Sequence, residues 1–117
     1  MEATALSRFN KISARKARQV ADLVRGKSVE AAVHALSLTP KKAAPLLQKT
    51  ILAALANARQ KDGAASIPEE DFMVSEVRVD EGPTSKRIRA RAQGRAFRIR
   101  KRTSHIKVTV SANVDAE

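Results

Sequence analysis

Apolar residues recur with a helical period between residues 13 and 59 and with a period of two near the C-terminus, so helices precede the clearest strand along this chain. Residues 13–25 read as the first helix. Ala17, Val20, Ala21 and Val24 share one face, Ser13 is placed to cap the start, and Gly26 is placed to stop the end. A second, shorter helix follows, with Ser28 as cap, Glu30 at its positive end, and Val29, Ala32, Val33 and Leu36 as its apolar stripe. Thr39-Pro40 predicts the start of a third helix, Thr39 capping and Pro40 in the first helical position. This helix runs to Arg59 and buries Leu47, Ile51, Ala54, Leu55 and Ala58. Pro45 lies inside the span and implies a distorted first turn or a later start. Alanines at 53, 54, 56 and 58 suit close packing against a neighbour.

Residues 61–71 contain Asp-Gly, Pro68 and three consecutive acids, the composition of a loop. Residues 72–80 then read as a strand with Val77 and Val79 on its buried face. In residues 103–112, Ile106, Val108, Val110 and Ala112 alternate with His105, Lys107, Thr109 and Ser111. Residues 3–12 supply a candidate third strand. The expected architecture is a single α+β domain over residues 1–117, with three helices on one face of a small, three-stranded antiparallel sheet.

Charge changes this picture most. Lys and Arg number 23 against 12 Asp and Glu, a formal net charge of +11. Nine of those cations (Lys86, Arg87, Arg89, Arg91, Arg95, Arg98, Arg100, Lys101 and Arg102) fall within residues 84–102, which contain no acid. The remainder of the chain therefore carries only +2. The enclosing segment, residues 82–102, opens on Gly-Pro and has only Ile88, Phe97 and Ile99 as large apolar residues, too few for a core. Flanked by two strands that pair, it reads as a long β-hairpin arm projecting from the sheet. Limbs of about 10 residues reach roughly 30 Å at strand rise. Alone in water such a ribbon is marginal, and arginines opposite one another repel.

A basic run is ordinarily a solvated face, but such faces seldom exclude acids over so long a stretch. The run also holds seven Arg to two Lys. Arginine's planar fork grips phosphate with two donors and stacks on unpaired bases. Nucleic acid is the expected partner, and the three bulky apolar residues are too few for a membrane-binding face. Arg15, Lys16 and Arg18, largely off the apolar face of the first helix, complete the candidate contacts.

Catalysis finds no support. Gly26-Lys27-Ser28 copies the end of a phosphate-binding loop, yet Ala21 stands where the motif needs its first glycine. His34 and His105 have no companions at ligand spacing, Cys is absent, and Glu69, Glu70 and Asp71 lack a calcium-loop frame. No metal, cofactor or enzymatic activity is expected. No run of about 18 apolar residues is present to span a membrane. The first residues have neither the order of a signal peptide nor the bias of a transit peptide, and with Cys absent the chain reads as cytosolic.

Two blocks, SARKARQVADLVRGKS at 13–28 and DEGPTSKRIRARAQGRAFRIRKRTSHI at 80–106, resemble the twenty-second large-subunit ribosomal protein family in its bacterial form. LAALANA at 52–58 also fits the family's third helix, so the resemblance spans nearly the whole chain. It implies a globular part on the outer surface of the ribosome and a β-hairpin buried in large-subunit ribosomal RNA. By the same resemblance the hairpin tip, here Arg89, Ala90, Arg91, Ala92, Gln93, Gly94 and Arg95, lines the nascent-peptide exit tunnel near its macrolide-binding region. The family pattern usually has proline where Ala90 stands, and its absence makes the approach to the tip less constrained before RNA binds. The implied partners are large-subunit ribosomal RNA, neighbouring large-subunit proteins and the nascent peptide, in the cytoplasmic ribosome, with no self-association.

The residues themselves fit that implication. With no Tyr or Trp, base stacking rests on Phe9, Phe72 and Phe97, and recognition runs mainly through phosphate, sugar and RNA shape. The alternative is a DNA-bending architectural protein with a basic two-stranded arm. Such arms carry an apolar wedge at the tip, which residues 89–95 do not offer.

Overall fold

The computed structural model describes residues 2–61, 67–90 and 96–112, and between 84 and 101 it describes the backbone pairing. In chain order the elements are β1 (Glu2–Asn10), α1 (Ala14–Ala21), α2 (Val29–Ser37), α3 (Ala43–Arg59), β2 (Phe72–Ala90) and β3 (Ala96–Ala112). The expected α+β architecture is present. The three strands form one antiparallel sheet in the order β1-β3-β2, so the C-terminal strand is central. Helix α3 lies on β1 and β3, α1 lies against β2, and α2 packs on α3.

The helices follow their local chemistry with two differences. Ser13 and Ser28 cap as expected, their hydroxyls accepting from the backbone N–H of Lys16 and Ala31. Helix α1, expected to reach residue 25, ends at Ala21. Its last turn tightens through bonds from Leu23 to Val20 and from Val24 to Ala21, which still bury Val24. Helix α3 begins at Ala43 and not at Pro40. Thr39 does not cap it; its hydroxyl donates to the carbonyl of Ala35 and closes α2. The later start puts Pro45 in the third helical position, where no intrahelical N–H bond is required.

The core is small and rich in alanine. Phe72, Leu47, Ile51 and Ile106 are its largest fully buried side chains, surrounded by Val20, Val24, Val29, Val74, Val108 and Val110. Ala54 and Ala58 are buried and bring α3 close to the sheet, whereas Ala53 and Ala56 face solvent. On β2, Val74 and Val77 are both buried although three residues apart. A register shift between Val74 and Glu76 inserts one extra residue and restores the inward phase.

Beyond this body β2 and β3 continue alone. Their pairing runs from Phe72↔Ala112 to Ala90↔Ala96, whereas β1 makes its last pair at Asn10↔Ser104. The arm therefore emerges as a two-stranded ribbon, and the molecule measures 72 × 25 × 16 Å.

Candidate nucleic-acid interface

The root of the arm is built by two bulges at one level of the sheet. On β2, Glu81 pairs with Ser104 and Thr84 with Arg102, so one extra residue is accommodated at Gly82-Pro83. Pro83 has no N–H to lose there, and its carbonyl accepts from the Thr103 hydroxyl at 2.7 Å. On β1, Ser7 pairs with Ile106 and Asn10 with Ser104, so Arg8 and Phe9 form the matching bulge on the other side of β3. Asn10 is buried and locks that bulge, its Nδ2 donating to the carbonyls of Ser7 (3.0 Å) and Ser104 (3.2 Å). The Ser7 hydroxyl in turn donates to Asn10 Oδ1 at 2.9 Å. Sequence reasoning missed both bulges.

Past this root the charge changes sign. Asp80 and Glu81, both exposed, are the last acids before the arm. The register then pairs Thr84↔Arg102, Ser85↔Lys101, Lys86↔Arg100, Arg87↔Ile99, Ile88↔Arg98, Arg89↔Phe97 and Ala90↔Ala96. Each bulky apolar residue thus stands opposite an arginine. Of these pairs only Lys86↔Arg100 sets two cations in directly opposed register positions, and no pair sets arginine opposite arginine. Cations occupy both alternating sets of positions. Of the expected tip, Arg89 and Ala90 end β2, and Arg91, Ala92, Gln93, Gly94 and Arg95 lie outside the described residues.

The basic residues of α1 divide. Arg15 and Lys16 are exposed on the helix. Arg18 also reaches the surface, but its guanidinium donates from Nε (3.2 Å) and Nη2 (2.9 Å) to the carbonyl of Val79. Arg25, which sequence reasoning passed over, does the same to Val77 at 3.1 and 2.8 Å and pairs with Asp22. Its seven-residue spacing from Arg18, matching that of Ala17 and Val24 beside them, was the available signal. The turn after α1 extends this seal on β2. Gly26, at φ +79°, donates to the carbonyl of Val74, and the Lys27 carbonyl accepts from the N–H of Val74. The Gly-Lys-Ser segment is a helix stop and an edge cover.

The aromatic residues also separate. Phe72 is fully buried, with the Arg59 guanidinium 5.7 Å from its ring centre, so it offers no surface to a base. Phe97 is the register partner of Arg89 in the arm. Phe9 is exposed and meets the His105 ring edge-on, 4.9 Å between centres at 90°. His105 Nδ1 accepts the backbone N–H of Phe9 at 3.1 Å, so this histidine is a structural partner of the bulge. His34 sits exposed on α2.

Comparison with known proteins fits this arrangement. Residues 5–111 match the family described as ribosomal protein L22p/L17e. The large ribosomal subunit protein uL22 of Maridesulfovibrio salexigens is 52% identical over 110 residues, covering 94% of this chain and 97% of the relative. The matched span takes in the helices, all of β2 and all but the last residue of β3. With body and arm both inside it, the chain belongs to the ribosomal protein L22p/L17e family.

Proposed function

We propose that this chain binds and organises large-subunit ribosomal RNA through the β2–β3 arm, and that the tip of the arm lines the nascent-peptide exit tunnel. Family membership makes the chain a structural, non-enzymatic constituent of the large ribosomal subunit, in the cytoplasm. The observation that carries the finer reading is the coincidence of the free ribbon with the charge. Pairing beyond β1 covers residues 84–90 and 96–102, which hold seven of the nine cations of residues 84–102 and no acid.

A narrow ribbon of this kind can be surrounded by RNA on both faces. Lys86, Arg87, Arg89, Arg98, Arg100, Lys101 and Arg102 then neutralise phosphates along its length, with Arg91 and Arg95 adding two more at the tip. Arg15, Lys16 and the free donors of Arg18 form a second contact patch on α1. Neighbouring large-subunit proteins meet the globular body, and the nascent peptide passes residues 89–95. The sheet supplies the rigidity, since the two bulges at the root fix where the ribbon leaves the body.

Competition binding tests the choice of nucleic acid. Folded large-subunit ribosomal RNA is expected to displace duplex DNA of equal length from the protein at fixed salt. Retention of the duplex against that RNA would favour a DNA-bending role instead.

A further inference from the structure

We infer that Phe9 is a stacking platform for one unpaired RNA base at the root of the arm, a contact distinct from the phosphate contacts of the arm itself. The inference rests on the RNA-binding reading above.

The backbone carries the first part of the case. Phe9 has φ +56°, the one positive value at a non-glycine residue among those described. An aromatic residue rarely adopts that conformation, and it persists only where the surroundings impose it. Here they do so from both sides. Buried Asn10 ties the bulge to Ser7 and Ser104, and His105 Nδ1 takes the N–H of Phe9.

The side chain carries the second part. A strained bulge that served the core would bury its ring, yet Phe9 is 61% exposed. His105 meets it at a right angle, which restrains the ring without covering it. Leu6 and Leu38 are also exposed, and single exposed apolar residues need no explanation. Phe9 differs in being held outward by a buried polar network and a costly backbone conformation.

Charge supplies the third part. Arg8 and Lys11 flank the ring along the chain, and Arg102 lies two residues from Ser104, the register partner of Asn10; all three cations are exposed. A base on Phe9 would therefore have cations near the phosphates on either side. Stacking on an aromatic ring tolerates any base, so the ligand is an unpaired nucleotide without a required identity.

The chain contains no Trp or Tyr, so Phe9→Trp in the full-length protein creates a sole indole reporter. Titration with deproteinised large-subunit ribosomal RNA is expected to quench that indole. Phe9→Leu, which keeps apolar bulk but loses the ring, is expected to weaken binding about tenfold with the salt dependence unchanged. Thermal unfolding of each variant separates this loss from loss of fold. Unquenched indole emission together with wild-type affinity in folded Phe9→Leu would overturn the stacking site and leave the arm's role standing. Failure of the wild-type protein itself to bind this RNA would overturn both.

Discussion

Arg18 on α1 donates two hydrogen bonds to the carbonyl of Val79 on β2, from Nε at 3.2 Å and from Nη2 at 2.9 Å. Val79 belongs to an edge strand, and Arg25 repeats the arrangement at Val77. Together with the pairing of residues 26–28 against Val74 and Met73, these arginines occupy backbone acceptors that would otherwise template another chain. The positive charge of α1 thus serves the fold as well as the surface.

Replacing Arg18 by Ala is therefore expected to destabilise the protein by about 1 kcal/mol, the scale of a charge-assisted hydrogen bond discounted for partial exposure. Arg18→Lys should recover little of it, since a lysine has no fork to place two donors on one carbonyl. In Arg18→Ala/Arg25→Ala the uncovered edge should add concentration-dependent self-association. Urea unfolding and sedimentation velocity check the two parts. Unchanged stability in both single variants would show that these bonds do not hold α1 to the strand.

Gly82 is needed for space. A β-carbon there would lie 2.5 Å from the Thr103 hydroxyl and 3.2 Å from Cε1 and Nε2 of His105. Thr103 cannot turn away without losing its bond to the Pro83 carbonyl. Gly82→Ala should cost about 1–3 kcal/mol, the usual penalty of overpacking. Adding Thr103→Ala should return part of that loss, because the nearest clashing atom is gone. Thermal unfolding of the single and double variants measures the coupling, and strict additivity would rule out the clash as the cause.

Deleting residues 85–87 tests the tip. The deletion carries Ile88 to the place of Ser85 opposite Lys101, and an odd-numbered shift moves the rest of that limb to the opposite face. The buried strand residues Phe72, Val77, Ile106 and Val108 lie outside the deletion, so the body should fold and subunits should assemble. With the shortened protein as the only copy, altered growth in macrolide or altered peptide-dependent stalling is expected. Normal sedimentation of subunits with wild-type drug response and stalling would show that the tip does not shape the tunnel.

The elements were legible where their causes are local. Ser13 and Ser28 cap from within a few residues, and the alternation at Ile106, Val108, Val110 and Ala112 needs no partner to be read. The start of α3 was misplaced because Thr39-Pro40 has the chemistry of a helix beginning, while the hydroxyl was satisfied by the helix behind it. The bulges were hidden because an extra residue exists only relative to a partner strand. Val74 and Val77 look out of phase until β3 is alongside, and nothing in Arg8-Phe9 announces a left-handed backbone.

The candidate site divides in the same way. The arm was readable from its charge segregation, its few large apolar residues and the strand patterns on either side, all properties of the sequence itself. The assignment of Arg18 was incomplete, since only the packing of α1 on β2 shows which acceptor its fork meets. Phe72 and Phe9 looked equivalent as aromatic residues, and burial separates them.

The most direct test of the arm as an RNA-binding element is the salt dependence of affinity in Arg98→Glu/Arg100→Glu. These residues are register partners of Ile88 and Lys86, well beyond the pairs that hold the body together. Affinity for large-subunit ribosomal RNA, measured across a series of salt concentrations, should fall. The slope of log affinity against log salt should become shallower by about 0.7–0.9 for each phosphate that the arm no longer neutralises. An unchanged slope, with the double variant folded, would contradict the binding of phosphate by the arm.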